Sequence, residues 1–310
     1  MAENPRISQC RRIVKRDSRV RCYNRGSIFA IIPMRLVIQG QNLLPEHLAH
    51  LSALAGEKPV RPLADHAYVF PDTEPNTEIS EYCEKHYIDC AFIRDEHTLD
   101  NIGLVVMDMD STLINIECID EIADMQGLKP QVAAITESAM RGEIEFAESL
   151  RRRVALLAGL DESALQRVYD ERLQLNPGAL TLLGTLKARG IKTLLVSGGF
   201  TFFTERLKLR VGLDFAHANV LEIIDGKLTG RVLGDVLDAQ GKADWLNRIR
   251  EELGLRPNQV VAIGDGANDL KMMAAAGIGI AYHAKPVVRT QATYAISQVG
   301  LDGVINLLTR

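Results

Sequence analysis

Disulfide chemistry is the first thing this sequence lacks. Its 310 residues hold five cysteines, Cys10, Cys22, Cys83, Cys90 and Cys118, an odd number in which no two form a C-x-x-C pair. A disulfide framework or a structural zinc site is therefore not expected, and a reducing compartment, the cytoplasm, fits. There is no H-E-x-x-H, which removes one zinc-hydrolase motif. No apolar stretch approaches the ~18 residues of a membrane span. Neither sign of charge dominates: 36 Lys and Arg stand against 40 Asp and Glu, a formal net charge of −4. That balance gives no whole-protein reason to expect nucleic acid as a partner. No solenoid-like repeat is visible. What is present is ordinary for a folded chain, with 46% hydrophobic and 25% charged residues, and the length allows two domains.

Three regimes follow one another. Residues 1–33 carry Arg6, Arg11, Arg12, Lys15, Arg16, Arg19, Arg21 and Arg25 against only Glu3 and Asp17. They read as an extension outside the fold, either disordered or a basic arm for an anionic partner; Met34-Arg35-Leu36-Val37-Ile38 resembles a natural beginning. From Met34 to about Asp100 the pattern predicts strand Arg35–Gln39, helix Pro45–Leu54, strands Lys58–Pro62 and His66–Phe70, helix Glu78–His86 and strand Ile88–Ile93. That order, βαββαβ, suits a small ferredoxin-like sandwich. Beyond Ile102, short wholly apolar runs recur at Leu104–Met107, Thr193–Val196, Val260–Ile263 and Ile278–Ala281. Such runs suit strands covered on both faces. With helices between them, among them Gly241–Leu253 and Asp269–Ala275, they predict an α/β domain with a mainly parallel sheet. Asp120–Met125, Ile144–Leu157 and Ser163–Leu173 read as helices of a cap inserted after the first strand, over about residues 116–186.

Ligands bind at the carboxyl ends of parallel strands, so the polar loops there should converge. Asp108-Met109-Asp110-Ser111-Thr112 follows the first strand. Two acids at i and i+2 point to one side of an extended chain. They repel unless a proton or a hard cation such as Mg²⁺ intervenes. One can then act as nucleophile and the other as general acid/base; a solvated acidic turn fits the same residues. Ser197-Gly198-Gly199 lets the backbone approach an anion, or makes a tight turn. Gly241-Lys242 opens a helix, and its lysine can meet phosphate as a point charge or lie on the surface. It is no P-loop lysine, because Ala243 follows it and Val236 stands where the first glycine belongs. Gly264-Asp265-Gly266-Ala267-Asn268-Asp269 places two acids at a helix entry, for a metal or for a cap. Together the four segments hold the parts that phosphoryl transfer needs: nucleophile, cation ligands and charge-neutralising donors.

In this order the four segments resemble the motifs of the haloacid dehalogenase (HAD) phosphatase superfamily, from about Gly103 to the C-terminus. The resemblance implies a Rossmann-like core with a helical cap. It implies that Asp108 is phosphorylated, and that Asp110 protonates the leaving oxygen and then activates water. Ser197, with Gly198, and Lys242 would hold the phosphate. Asp108, Asp265 and the backbone carbonyl of Asp110 would ligate Mg²⁺, with Asn268 and Asp269 supporting the metal and its water. Within the superfamily, residues 108–122 and 140–154 look like the phosphoserine phosphatases. That likeness implies O-phosphoserine as the small-molecule substrate in serine synthesis. Glu117 would meet its ammonium and Arg153 its carboxylate, while Met140 and Phe146 exclude water. A zwitterion needs one anion and one cation, and the arginine fork suits a carboxylate. Residues 34–100 resemble the ACT-like domain of some bacterial members, an amino-acid sensor or a homodimerisation element. Two rivals stay open: transfer to homoserine or hydrolysis of another small ester, and a regulatory binding protein with an idle phosphatase domain.

Overall fold

The computed structural model describes residues 33–310. The expected N-terminal extension falls almost wholly outside these. The first described unit runs β1 (Met34–Gln39), α1 (Pro45–Leu54), β2 (Arg61–Ala64), β3 (Ala67–Phe70), α2 (Thr77–Lys85) and β4 (Asp89–Arg94). Its sheet has the order β2-β3-β1-β4, with β1 antiparallel to both β3 and β4. This is the ferredoxin-like arrangement that the βαββαβ pattern implies. Proline at the first position of α1 suits a helix start, since its missing N–H has no partner there anyway. Leu36, Ile38, Leu51, Phe70, Ile79 and Cys83 close a small core between sheet and helices. The β2 strand begins three residues later than the sequence suggested, at Arg61, and its pairing with β3 slips between Pro62 and Ala64.

The larger unit opens with β5 (Leu104–Met107), then a run of helices: α3 (Cys118–Asp124), α4 (Lys129–Met140), α5 (Phe146–Ala155), α6 (Ser163–Glu171) and α7 (Ala179–Ala188). There follow β6 (Lys192–Phe200), α8 (Thr201–Val211), β7 (Phe215–Ile224), β8 (Lys227–Leu233), α9 (Ala239–Glu252), β9 (Val260–Gly264), α10 (Leu270–Ala275), β10 (Ile278–Tyr282), α11 (Pro286–Arg289), β11 (Tyr294–Ile296) and α12 (Gly303–Leu308). The seven strands lie in the order β11-β10-β9-β5-β6-β7-β8, parallel except for the β7–β8 hairpin. The apolar runs are legible as strands because both faces are covered. Leu104 and Val106 enter one hydrophobic cluster, Val105 and Met107 the other, as a period of two requires. Each such fully buried side chain stabilises the fold by roughly 1.5–3 kcal/mol.

The chain leaves the core after β5 and returns at a bridge between Ile114 and Leu175. Helix α7 packs on β6 and α12, so the inserted cap closes near residue 175 rather than 186. The sequence missed α4, α7 and α8 and the β7–β8 hairpin. The hairpin tip is fastened to the cap: Gly159 N–H donates to Leu228 O at 2.7 Å and Leu228 N–H to Leu160 O at 2.8 Å. The N-terminal sheet is tied to the core by buried polar contacts. Asp89 accepts from Ser297 N and Gln298 N at 2.8 and 2.9 Å, and the Arg35 guanidinium donates to Leu307 O at 3.1 Å. These contacts hold β4 beside β11.

Candidate active site

Strands β5, β6 and β9 are neighbours, so the segments that follow β5 and β9, and the end of β6 itself, meet at one edge of the sheet. After β5 the chain turns at once. Asp110 keeps an extended backbone and Ser111 takes a left-handed φ of 56°, which brings the two acids and the hydroxyls into one turn. Asp108 is 5% exposed. Its Oδ1 accepts from Met109 N at 2.7 Å and pairs with Lys242 Nζ at 2.8 Å. No protein donor among the described residues reaches Oδ2, so that oxygen is left for a reacting group or a cation.

Lys242 is buried, 1% exposed, and pairs with Asp269 Oδ1 at 2.8 Å as well as with Asp108. Asp238 caps α9 by accepting from Gln240 N and Gly241 N, each at 2.9 Å, and so fixes the turn that carries the lysine. Burial alone would lower the Lys242 ammonium, but the Asp108 and Asp269 carboxylates outweigh it and hold the charge on. Asp269 is fully buried and both its oxygens are engaged, Oδ1 by Lys242 and Oδ2 by Gly266 N at 3.0 Å. Gly264 leaves room for it: a Cβ there would collide with the Asp269 carboxylate. Asp265 accepts from Thr112 Oγ1 at 3.0 Å. Carboxylate oxygens of Asp108, Asp265 and Asp269 all lie within 4.8 Å of one another.

Such crowding shifts the acids. Burial first, then the Asp269 charge, raise Asp108 well above the carboxylate range, against the pull of Lys242. Asp265 is raised to about 6 by burial and by Asp269. Asp110 is raised to about 7, chiefly by burial and then by Glu117, despite the Cys118 N–H that its Oδ1 accepts at 3.2 Å. Several carboxylates against one ammonium make an all-oxygen donor set with surplus negative charge. That set fits a hard divalent cation.

Ser197-Gly198-Gly199 is not a loop after the strand but the end of β6 itself. Between the Val196–His217 and Phe200–Asn219 pairs three residues of β6 face one of β7, so the Ser-Gly-Gly stretch bulges. Asn219 of β7 pins the bulge, donating to Gly198 O at 2.8 Å and accepting from Leu237 N at 2.7 Å. The Gly199 N–H donates to Ser197 Oγ at 2.8 Å and so is not free for an anion as expected. The bond instead leaves the serine O–H to donate. A Cβ on Gly199 would come within 2.9 Å of Asp110 Oδ2 and 3.0 Å of Ser197 Oγ, so glycine is needed for this approach.

The cap brings some of the expected residues to this floor and not others. Phe146, at the start of α5, lies over Gly198, its Cζ 3.0 Å from where a Cβ would sit. Glu117 stands at the entry to α3 without capping it by its side chain, and its Oε1 accepts from Ser111 Oγ at 2.8 Å. Glu117 keeps surface open to solvent, yet neighbouring protein strips enough water to raise its carboxyl; Ser111 and Arg153 pull the other way. Arg153 on α5 is half-buried, and lost hydration lowers its guanidinium while Asp120, Glu117 and Asp110 oppose that. Met140 at the end of α4 is 66% exposed. Asn268 is half-buried, its Oδ1 against Gly266. Sequence reasoning did not single out Ser111, Thr112 or Asn219 for these contacts. The first two lay inside a motif already marked, whereas nothing in the chain signals that Asn219 faces Gly198.

A family model of haloacid dehalogenase-like hydrolases matches residues 102–277. The chain belongs to the haloacid dehalogenase-like hydrolases. It is 54% identical over 215 residues to a phosphoserine phosphatase of Polaromonas sp., covering 68% of this chain and 91% of that one. A crystal structure of a probable phosphoserine phosphatase from Vibrio cholerae, unliganded, superposes with a TM-score of 0.78 at 42% identity, covering 89% of this chain and 86% of that one. A phospho-aspartyl intermediate analogue of phosphoserine phosphatase superposes at 0.62 and 40% identity, covering 66% and 97%. In this hydrolase, then, the four converging segments lie inside the matched region.

Proposed function

We propose that this chain hydrolyses O-phospho-L-serine to L-serine and phosphate through a phosphoaspartate on Asp108. The carrying observation is the buried Asp108, both of whose protein donors fall on Oδ1, beside an Asp110 whose carboxyl is raised to about 7. Oδ2 of Asp108 attacks phosphorus and the P–O bond to serine breaks. Asp110, protonated near neutral pH, gives its proton to the departing serine oxygen. The resulting carboxylate of Asp110 then takes a proton from water, whose oxygen attacks the phosphoaspartate and frees phosphate. Lys242 and the Ser197 O–H neutralise and hold the phosphoryl oxygens. Glu117 meets the substrate ammonium and Arg153 its carboxylate, while Phe146 shields the reacting group from water.

Mg²⁺ fits the donor set of Asp108, Asp265 and the Asp110 carbonyl, and when bound it offsets charge on the transferring phosphoryl group. Asp269, with both oxygens occupied by protein donors, supports that site from behind. Residues 34–100 form an ACT-like unit beside the phosphatase unit, which spans residues 101–310. No helix among the described residues is long and apolar enough to cross a membrane, and the free thiols Cys83, Cys90 and Cys118 fit a cytoplasmic enzyme. The test is phosphate release from O-phospho-L-serine. Release that is abolished by EDTA and restored by Mg²⁺ is expected. Turnover of p-nitrophenyl phosphate without turnover of phosphoserine would keep the chemistry and overturn the substrate.

A further inference from the structure

The acids of α3 differ in their partners. Glu121 and Asp124 pair with Arg172 at 3.1 and 3.6 Å. Asp120 stands about 100° around the helix from Glu121 and one turn before Asp124. It makes no ion pair among the described residues, and its Oδ1 is buried without a hydrogen-bond partner. The arginines of α5 divide in the same way. Arg152 pairs with Glu148 one turn back at 2.7 Å, while Arg153 turns inward with a buried, unpartnered Nε. Ser149, one turn before Arg153 on that inner face, also buries an Oγ with no partner. Two helices thus bury polar atoms of opposite character that no other group satisfies. Among the charges that act on Arg153, Asp120 is the strongest, ahead of Glu117 and Asp110.

We propose that Asp120 is a positioning residue for substrate recognition, holding the Arg153 guanidinium charged and oriented for the carboxylate of the substrate. The proposal rests on the reading of Arg153 as the carboxylate partner. A buried arginine with no fixed acceptor can swing among rotamers, and a fork helps a carboxylate only when it is presented in one orientation. Asp120 supplies a stationary negative charge from α3 without occupying the fork in a close ion pair among the described residues. Asp120 is not among the leading charges on Asp108, Asp110 or Lys242, so removing it should leave the chemical step alone.

The experiment compares Asp120→Asn, Asp120→Glu, Arg153→Ala and the double variant Asp120→Asn/Arg153→Ala, each on O-phospho-L-serine and on p-nitrophenyl phosphate, which has no carboxylate. Asp120→Asn should raise KM for phosphoserine about tenfold with kcat nearly unchanged, and leave p-nitrophenyl phosphate turnover as it was. Asp120→Glu, which keeps the charge, should recover much of the loss. In the Arg153→Ala background Asp120→Asn should add nothing, since the residue it acts through is gone. An unchanged KM in Asp120→Asn, an equal loss on both substrates, or additive losses in the double variant would overturn the role of Asp120 while leaving that of Arg153. If Arg153→Ala itself left KM for phosphoserine unchanged, the carboxylate reading would fall and the role of Asp120 with it. Thermal melts of all four keep a folding defect from passing as a recognition defect.

Discussion

The floor of the site and its cap treat their charges in opposite ways. On the floor Lys242 lies 2.8 Å from both Asp108 and Asp269, and all three are at least 95% buried. In the cap Arg153 buries an Nε with no partner and Met140 stands 66% exposed. Groups that perform chemistry are already in place, so little reorganisation is left for the reacting state. Arg153, the proposed partner of the substrate carboxylate, buries its Nε without a protein partner, so that binding can complete it. An arginine already neutralised by a close acid would have less to gain from a substrate carboxylate.

The largest effect should come from the floor. Asp108→Asn removes the nucleophile, and kcat should fall by about three orders of magnitude or more, read as initial rates of phosphate release. Lys242→Met should follow. It strands two buried carboxylates, and breaking such a cluster costs about 3–5 kcal/mol, visible as a lower midpoint in urea for the metal-free protein. Mg²⁺ should return part of that stability. A Lys242→Met protein as stable as the parent would show that the floor is not pre-paired, and the contrast with the cap would fail.

Arg153→Ala should act on recognition instead. KM for phosphoserine should rise by roughly tenfold or more, with the melting temperature nearly unchanged because no protein partner is lost. A pH series comes next. Asp110 and Asp265 have folded values raised to about 7 and about 6, above the ordinary carboxylate value of 3.8. The folded state therefore binds these protons more tightly than the unfolded chain. Their contribution is complete below about pH 4 and is lost as pH rises through 6 to 7. The metal-free protein should melt lower at neutral than at mildly acid pH, and Asp110→Asn should flatten the slope. The smallest effect belongs to Met140→Ala, within about 0.5 kcal/mol in stability for so exposed a side chain; a larger loss in melting would mean that α4 is packed more tightly than its exposure indicates.

Much of the floor was legible because chemistry and strand ends coincide in the sequence. Leu104–Met107 was read to its ends, and Asp108 follows it directly. Pro45–Leu54 was read to its ends as well, since proline marks the entry and leucines recur at helical spacing. The β7–β8 hairpin was missed because its strand residues are mostly half-exposed or exposed and include Asn219 and His217, which interrupt any apolar run. The bulge at Ser197–Gly199 was misread as a loop because paired glycines favour turns, and only the pairing with β7 keeps this strand going.

The sequence by itself determined the order of strands and helices, the N-terminal ferredoxin-like pattern, and the four segments that carry the reacting groups. Local spacing suffices for these, since alternation, helical period and turn residues act over a few positions. Tertiary structure alone decided that Asp269 spends both oxygens on Lys242 and Gly266, that Asn219 holds the bulge under Gly198, and that Asp120 and Arg153 bury polar atoms without partners on two helices of the cap. Each joins groups far apart in the chain, or turns on which face of a helix is buried. Packing settles such matters, and no short stretch of sequence encodes them.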